Sequence, residues 1–422
     1  MTPRPFTLLF LVAAVAGAYF TGYSTYDFAG HLDRQVHDIH CSVLPGLVES
    51  DASAHSGCQV AMMSPYSSMF RTLVWGGVPI SLPGFATFAF LVFRGLDLML
   101  NRREADRDAT KFLVFASIVP VLASAVMGYI SATELGEFCK LCVGTYVSSA
   151  GVLVGALGAW RAAEAPRMGE DMGIGGETPL EETPASGSGL TGVLVGFATL
   201  GGFVAVPGLL YLILAPDFGK YVGACGSLPK PEDTYGIMIP LDENTGGRSA
   251  IEVFDPLCPA CKGFEERLET SGLDAQLHRK AVLFPLDSTC NWNVGGTLHA
   301  GACTVSAAIL CAEGKQRAVI EWAFDNQEAI RTATEKDADA AKRMVVAQFP
   351  DLASCIDTPA VATKLNRSMR WAVANQLPVL TPQLYVDGVK LCDEDTDLGM
   401  DWALSRLLAK PAVAATPSEA TP

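Results

Sequence analysis

The sequence predicts a multi-domain chain: an all-α membrane helical bundle, a four-helix core plus a fifth span, followed by an α/β domain with a helical insertion. Three observations lead there. Apolar stretches with almost no charge recur through the first 215 residues, each close to the roughly 20 residues a membrane helix needs. After Asp217 the composition turns polar, and short β-rich runs flank a long helix-like block. Two C-x-x-C motifs mark the halves, Cys139-Lys140-Leu141-Cys142 at the mouth of an uncharged run and Cys258-Pro259-Ala260-Cys261 beyond the last one.

Composition narrows the function classes. Half of the 422 residues are hydrophobic and 18% are charged, a balance skewed toward membrane proteins. A net charge of −15 argues against nucleic-acid binding, which calls for Lys and Arg against phosphate. Twelve cysteines are many for a reducing cytosol, and their even number permits full pairing.

The membrane part is expected at 1–161, with spans at about 6–26, 75–93, 112–133 and 141–160. The first could instead be a cleaved signal peptide with Ala14-Val15-Ala16 as cleavage site, but its apolar run exceeds the usual h-region. Between spans two and three lie Arg94, Arg102, Arg103, Arg107 and Lys111, which mark that connector as cytoplasmic. Residues 162–189, rich in Gly, Pro, Glu, Ser and Thr, read as a disordered cytoplasmic linker, and 190–215 as a fifth span. Counting from a cytoplasmic N-terminus, all twelve cysteines then fall on one, oxidising side. The soluble domain is expected at 217–410 and a disordered tail at 411–422.

In the soluble half, Ile251-Glu-Val-Phe-Asp-Pro256 is a strand ending in a turn, and Lys262-Gly-Phe-Glu-Glu-Arg-Leu268 has helical spacing. Cys258 therefore falls at a helix N-terminus, where the dipole and free N–H groups favour a thiolate and the helical turn brings Cys261 near. That is the setting of a redox dithiol; half of a zinc site is the plainer alternative. Ala281-Val-Leu-Phe-Pro285 and Gln383-Leu-Tyr-Val386 are further strands, the latter followed by the turn Asp387-Gly388.

Phe254-Asp-Pro-Leu-Cys-Pro-Ala-Cys261, the helical block and Thr381-Pro382-Gln-Leu-Tyr-Val-Asp-Gly388 resemble the DsbA-like branch of the thioredoxin superfamily. The resemblance implies a thioredoxin-like fold in which Pro382 is cis, and Thr381 and Pro382 face the C-x-x-C and present backbone to bound substrate. The stretch from about Thr7 to Trp160 resembles the vitamin K epoxide reductase family, through Cys41-Ser-Val-Leu44, Gly57-Cys58-Gln-Val60 with Ser64-Pro-Tyr-Ser67, Val78-Pro-Ile-Ser-Leu-Pro-Gly84 and Cys139-Lys-Leu-Cys142-Val143. Bacterial members commonly carry a thioredoxin-like domain, in this order. The resemblance implies that Cys142 faces a quinone, ubiquinone or menaquinone, with Cys139 as its partner. It implies a shuttle pair, Cys58 taking electrons from Cys258 and Cys41 passing them to Cys139. Cys41 and Cys58 lie further apart than is usual, with Glu49 to His55 as an apparent insertion.

The expected activity is a quinone-dependent thiol oxidase of a bacterial inner membrane, its redox sites on the periplasmic side, acting on reduced exported proteins. A reductase or isomerase is the alternative within the class, and a non-enzymatic, metal-sensing membrane protein the alternative outside it. His37, His40 and His55 beside Cys41 and Cys58 are ligand types suited to zinc or copper, but thiolates kept by a metal cannot cycle through disulfides, so no metal is expected. The remaining cysteines are expected to form structural disulfides, Cys290–Cys303 and Cys225–Cys392, with Cys311–Cys355 resembling a pair in DsbA-like proteins.

Overall fold

The computed structural model describes residues 3–35, 57–164, 189–242 and 246–411. Cys41, His37, His40, His55, most of the 162–189 linker and all but the first residue of the 411–422 tail lie outside them. The chain forms two compact units: Met1–Met69 with Val78–Ala215, and Phe70–Gly77 with Pro216–Pro422.

The first unit is helical. Helix α1 (Arg4–Gly30) is followed by α2 (Gly57–Met63), the short hairpin strands β1 (Ser68–Met69) and β2 (Val78–Pro79), α3 (Ser81–Leu100), α4 (Arg107–Ile130), α5 (Lys140–Glu164) and α6 (Gly189–Leu214). Among the described residues five helices are long and apolar enough to cross a membrane: Arg4–Asp33, Ser81–Leu100, Arg107–Leu135, Lys140–Ala163 and Thr191–Leu214. The second span differs from the expected 75–93. Gly76 and Gly77 hold positive φ and the chain pairs in the hairpin before Ser81, so the apolar run begins as a turn and the helix starts later.

Helix α1 packs against α5 and α3, α4 against α5, and α6 against α3. Without a hydrophobic drive inside lipid, helices associate through close packing of small residues. On α5, Gly144, Gly151, Gly155 and Gly158 seat Phe20, Ala13, Phe10 and Phe6 of α1, and a Cβ at Gly155 would stand 2.6 Å from the Phe10 nitrogen. Phe10, Phe88, Phe90, Leu91, Leu113 and Val152 fill the centre.

The second unit is a five-stranded sheet in the order β3-β5-β4-β6-β7: β3 (Ile239–Pro240), β4 (Arg248–Phe254), β5 (Leu277–Leu283), β6 (Gln383–Val386) and β7 (Val389–Lys390). Only β4 and β5 are parallel, with Val253 beside Val282, joined through helix α7 (Pro259–Ser271). That crossover leaves Cys258 where the central strand hands over to the helix. Between β5 and β6 come α8 (Ala302–Cys311), α9 (Gln316–Asp325), α10 (Gln327–Lys336), α11 (Ala340–Gln348) and α12 (Pro359–Ala374); α13 (Met400–Ala409) follows β7 and packs on α7. Val253, Leu257, Val305, Ile309, Val319 and Met369 form its core. Disulfides join Cys225 to Cys392, Cys290 to Cys303 and Cys311 to Cys355.

The segment Phe70–Gly77 is part of this unit. Trp75, 2% exposed, donates its indole N–H to Asp395 Oδ1 at 2.7 Å, Arg71 pairs with Asp401, and Arg406 donates to the Thr72 carbonyl at 3.0 Å.

Candidate functional site

Each C-x-x-C opens a helix. In the first unit Cys139 is buried just before α5 and Cys142 is half-buried in its first turn, where the Val143 amide donates to the Cys139 carbonyl at 3.0 Å. Both are thiols. Cys58, on α2, is disulfide-bonded, and its Sγ lies 3.2 Å from Cys139 Sγ. Phe20, Tyr23, Ala61 and Leu141 pack round this cluster. A hydrogen bond from the Cys142 thiol draws the Cys139 thiol below its ordinary value, against the opposing effect of burial.

The approach of Cys58 to Cys139 depends on Gly57. A Cβ there would stand 2.6 Å from the Phe138 carbonyl oxygen, a backbone atom that cannot yield cheaply. The sequence shows the glycine but gives no reason for it. The exchange with Cys139 is expected of Cys41, which lies outside the described residues; among the described residues Cys58, in the first turn of α2, stands against Cys139.

In the second unit Cys258 is the N-cap of α7 and Pro259 its first residue, where a missing N–H costs nothing. Cys258 is 5% exposed and Cys261 is fully buried. The Thr381-Pro382 peptide is cis, and the Thr381 carbonyl oxygen lies 3.6 Å from Cys258 Sγ. The Cys261 hydrogen bond lowers the Cys258 pKa most; burial opposes it, and Thr381 and His299 add to the lowering. Burial and the Cys258 sulfur push Cys261 up. The two sulfurs thus differ in how readily each becomes a thiolate.

Two supports escape a sequence reading. Gln327, at the start of α10, donates its amide hydrogens to the carbonyls of Pro256 at 3.2 Å and Cys258 at 3.0 Å, fixing the turn before α7. Arg279 on β5, 1% exposed, lies 3.3 Å from Glu252 Oε2, 2.5 Å from Glu265 Oε1 and 2.9 Å from Asp242 Oδ2. Burial raises the Glu252 carboxyl well above its usual range, with Glu265 adding to the rise and Arg279 opposing it. Both depend on residues far apart in sequence.

Among the described residues the one group of three possible metal ligands is Cys225, Cys392 and Glu394, and its two sulfurs are already joined to each other.

Residues 8–157 match the model of the vitamin K epoxide reductase family. A comparison with curated proteins finds no match. Among solved structures, the oxidoreductase DsbA of Xylella fastidiosa is similar at 20% identity over 40% of this chain and 90% of that one, with a TM-score of 0.27. Reduced DsbA1 of Neisseria meningitidis is similar at 14% identity over 40% and 89%, also with a TM-score of 0.27. The sheet order, the Cys258/Cys261 dithiol at the strand-to-helix turn and the facing cis-proline make the second unit thioredoxin-like on its own geometry. The chain joins a helical region that matches the vitamin K epoxide reductase family, residues 8–157, to a thioredoxin-like domain, and is a thiol-disulfide oxidoreductase.

Proposed function

We propose that this protein forms disulfides in exported proteins and passes their electrons to a membrane quinone. The carrying observation is the 3.2 Å approach of Cys58 Sγ to Cys139 Sγ, with Cys58 in a disulfide and Cys139 and Cys142 as thiols. In the first step a substrate thiolate attacks Cys258 of the Cys258–Cys261 disulfide, and a second substrate thiol resolves the mixed disulfide. The substrate leaves oxidised and the CPAC pair reduced.

The reduced pair passes its two electrons to a disulfide between Cys41 and Cys58. Cys58 then attacks Cys139 of the Cys139–Cys142 disulfide, expelling Cys142 as thiolate. Attack by Cys41 on Cys58 frees Cys139 and restores the loop disulfide. The observed arrangement of a bonded Cys58 beside two thiols is the one left after that step. In this reading the inner exchange belongs to Cys58, where the family resemblance implies Cys41.

The aromatic and apolar surroundings of Cys139 and Cys142 suit a bilayer-soluble acceptor: ubiquinone or menaquinone would take two electrons and two protons as the Cys139–Cys142 disulfide re-forms. Each thiol exchange is near balance, so the final acceptor drives the sequence. Five membrane-length helices and the oxidised cysteines fit a bacterial inner membrane with the redox sites on the periplasmic side.

The test is complementation of a bacterium lacking its disulfide-forming oxidases. Wild type is expected to rescue, and neither Cys142→Ala nor Cys258→Ala. Rescue by both variants would overturn the relay. Rescue lost only with Cys142→Ala would leave the membrane domain as the oxidase and remove the role of Cys258.

A further inference from the structure

Strands β1 and β2 pair Ser68 with Pro79 and Met69 with Val78, and the loop between them, Phe70 to Gly77, is longer than a hairpin usually carries. So short a ribbon is marginal by itself and cannot fix the conformation of a long loop. The loop belongs to the second unit, although the residues on both sides of it belong to the first. Its sequence, Phe-Arg-Thr-Leu-Val-Trp-Gly-Gly, is apolar enough to read as the start of a membrane span, and no step of the thiol exchange uses it.

What holds it is a set of residues from the two ends of the second unit. The Trp75 indole is 2% exposed, donates its N–H to Asp395 Oδ1 at 2.7 Å and meets the Phe218 ring edge-on, with the centroids 5.6 Å apart. Gly399 leaves the space for it, since a Cβ there would collide with the indole nitrogen. Arg71 pairs with Asp401, whose side chain is 2% exposed, and Arg406 donates to the Thr72 carbonyl at 3.0 Å and the Leu73 carbonyl at 3.4 Å. Phe218 lies where the chain enters the unit, Asp395 and Gly399 follow β7, and Asp401 and Arg406 are on α13. The Cys225–Cys392 disulfide ties the first of these stretches to the second. A buried tryptophan with its N–H satisfied, an ion pair with one partner out of water and backbone carbonyls met by an arginine are the parts of a peptide-recognition site.

We propose that Phe70–Gly77 is a docking peptide, and that Phe218, Asp395, Gly399, Asp401 and Arg406 form the site on the thioredoxin-like domain that binds it, tightly enough to hold the domain when its covalent connection to α6 is cut. The domain then has two attachments, the chain passing through Ala215 and this non-covalent one. The docking peptide lies on the same arm of the chain as Cys58, a short stretch beyond the end of α2 at Met63. A second point of attachment on that arm raises the effective concentration of Cys258 at Cys58 above what a single tether gives. Only this last consequence rests on the proposed relay; the docking does not.

The test uses the full chain in detergent, captured by an N-terminal tag, with a protease site introduced at Pro216. After cleavage the wild-type domain is expected to stay on the resin. Trp75→Ala, and from the receiving side Gly399→Ala, should each release it about 30-fold faster, the loss expected of a central tryptophan anchor. Immediate release of the wild type, or release unaltered by both substitutions, would overturn the proposal. Should these variants fail to fold, Arg406→Met decides: Arg406 is half-buried, and its loss takes away the two bonds to the peptide carbonyls. Release about fivefold faster with wild-type thermal unfolding is then expected, and an unchanged rate would overturn the docking. Trapping a Cys58–Cys258 mixed disulfide in the uncut Cys41→Ala/Cys261→Ala protein separates the relay from the docking. A retained domain with no trapped disulfide would leave the docking intact and sink the exchange between Cys58 and Cys258 alone.

Discussion

The two dithiols share a motif, a position at a helix start and a division into an exchanging and a partner sulfur, yet their surroundings differ in kind. Cys139 faces another sulfur, Cys58 Sγ at 3.2 Å, inside an apolar shell of Phe20, Tyr23, Ala61 and Leu141. Cys258 faces the Thr381 carbonyl at 3.6 Å and lies beside the Asp255–His299 pair. A C-x-x-C at a helix N-terminus supplies a reactive thiol in either setting. The walls differ: a disulfide-bonded sulfur at one site, and at the other a backbone carbonyl that precedes a cis-proline.

The comparison breaks most sharply at Gly57. Gly57→Ala drives a Cβ into the Phe138 carbonyl and displaces Cys58 from Cys139. A displacement near 1 Å costs on the order of 100-fold in a reaction that depends on placement. The expected result is loss, by about that factor, of the Cys58–Cys139 mixed disulfide trapped in a Cys41→Ala/Cys142→Ala background, followed by non-reducing peptide mapping. Cys258 alkylation should stay as in wild type. Equal trapping with and without the methyl group would show that the glycine does not set the approach.

Next in size is the buried network under the second dithiol. Arg279→Leu leaves Glu252, Glu265 and Asp242 facing one another without their cation, and a broken buried pair of this kind costs about 3–5 kcal/mol. Thermal unfolding of the variant should show the loss in the second unit. Its pH dependence follows from Glu252, whose folded pKa is raised above the unfolded one. The folded state then binds more protons, so the variant should regain stability as pH falls and lose it as pH rises through the carboxylate range and above it. A variant as stable as wild type at neutral pH would mean that the three carboxylates are not held by Arg279.

The smallest effect separates the thiols within one pair. Because Cys258 is lowered and Cys261 raised, iodoacetamide at a pH below the ordinary thiol value of about 8.5 should label Cys258 and leave Cys261. Labelling of the two at similar rates would remove the assignment of attacker and resolver.

Much of the fold can be read from residues because its signals are local. The β-rich run into Asp255-Pro256 and the helical spacing after Cys258 place the dithiol at a strand-to-helix turn, and Thr381-Pro382 marks the facing segment. The stretch at 75–93 misleads for a physical reason. Hydropathy reports that Trp75 is to be buried, but not by what: the indole is covered by protein and bonded to Asp395, and the membrane-length helix begins only at Ser81. Strand β3 and helix α13 carry signals too short or too weak to stand out.

Sequence alone determined where the two dithiols stand, since a C-x-x-C at a helix start needs only two cysteines at the right spacing and a helix to follow. It also determined the membrane character, because a run of about 20 uncharged apolar residues has few other homes. Tertiary structure decided the neighbours: Cys58 beside Cys139, Gln327 on the Cys258 carbonyl, His299 at Asp255 from a loop 44 residues away. These pairings cross long separations, and the hydrogen bonds and charge effects that make them act only once burial has removed the competing water.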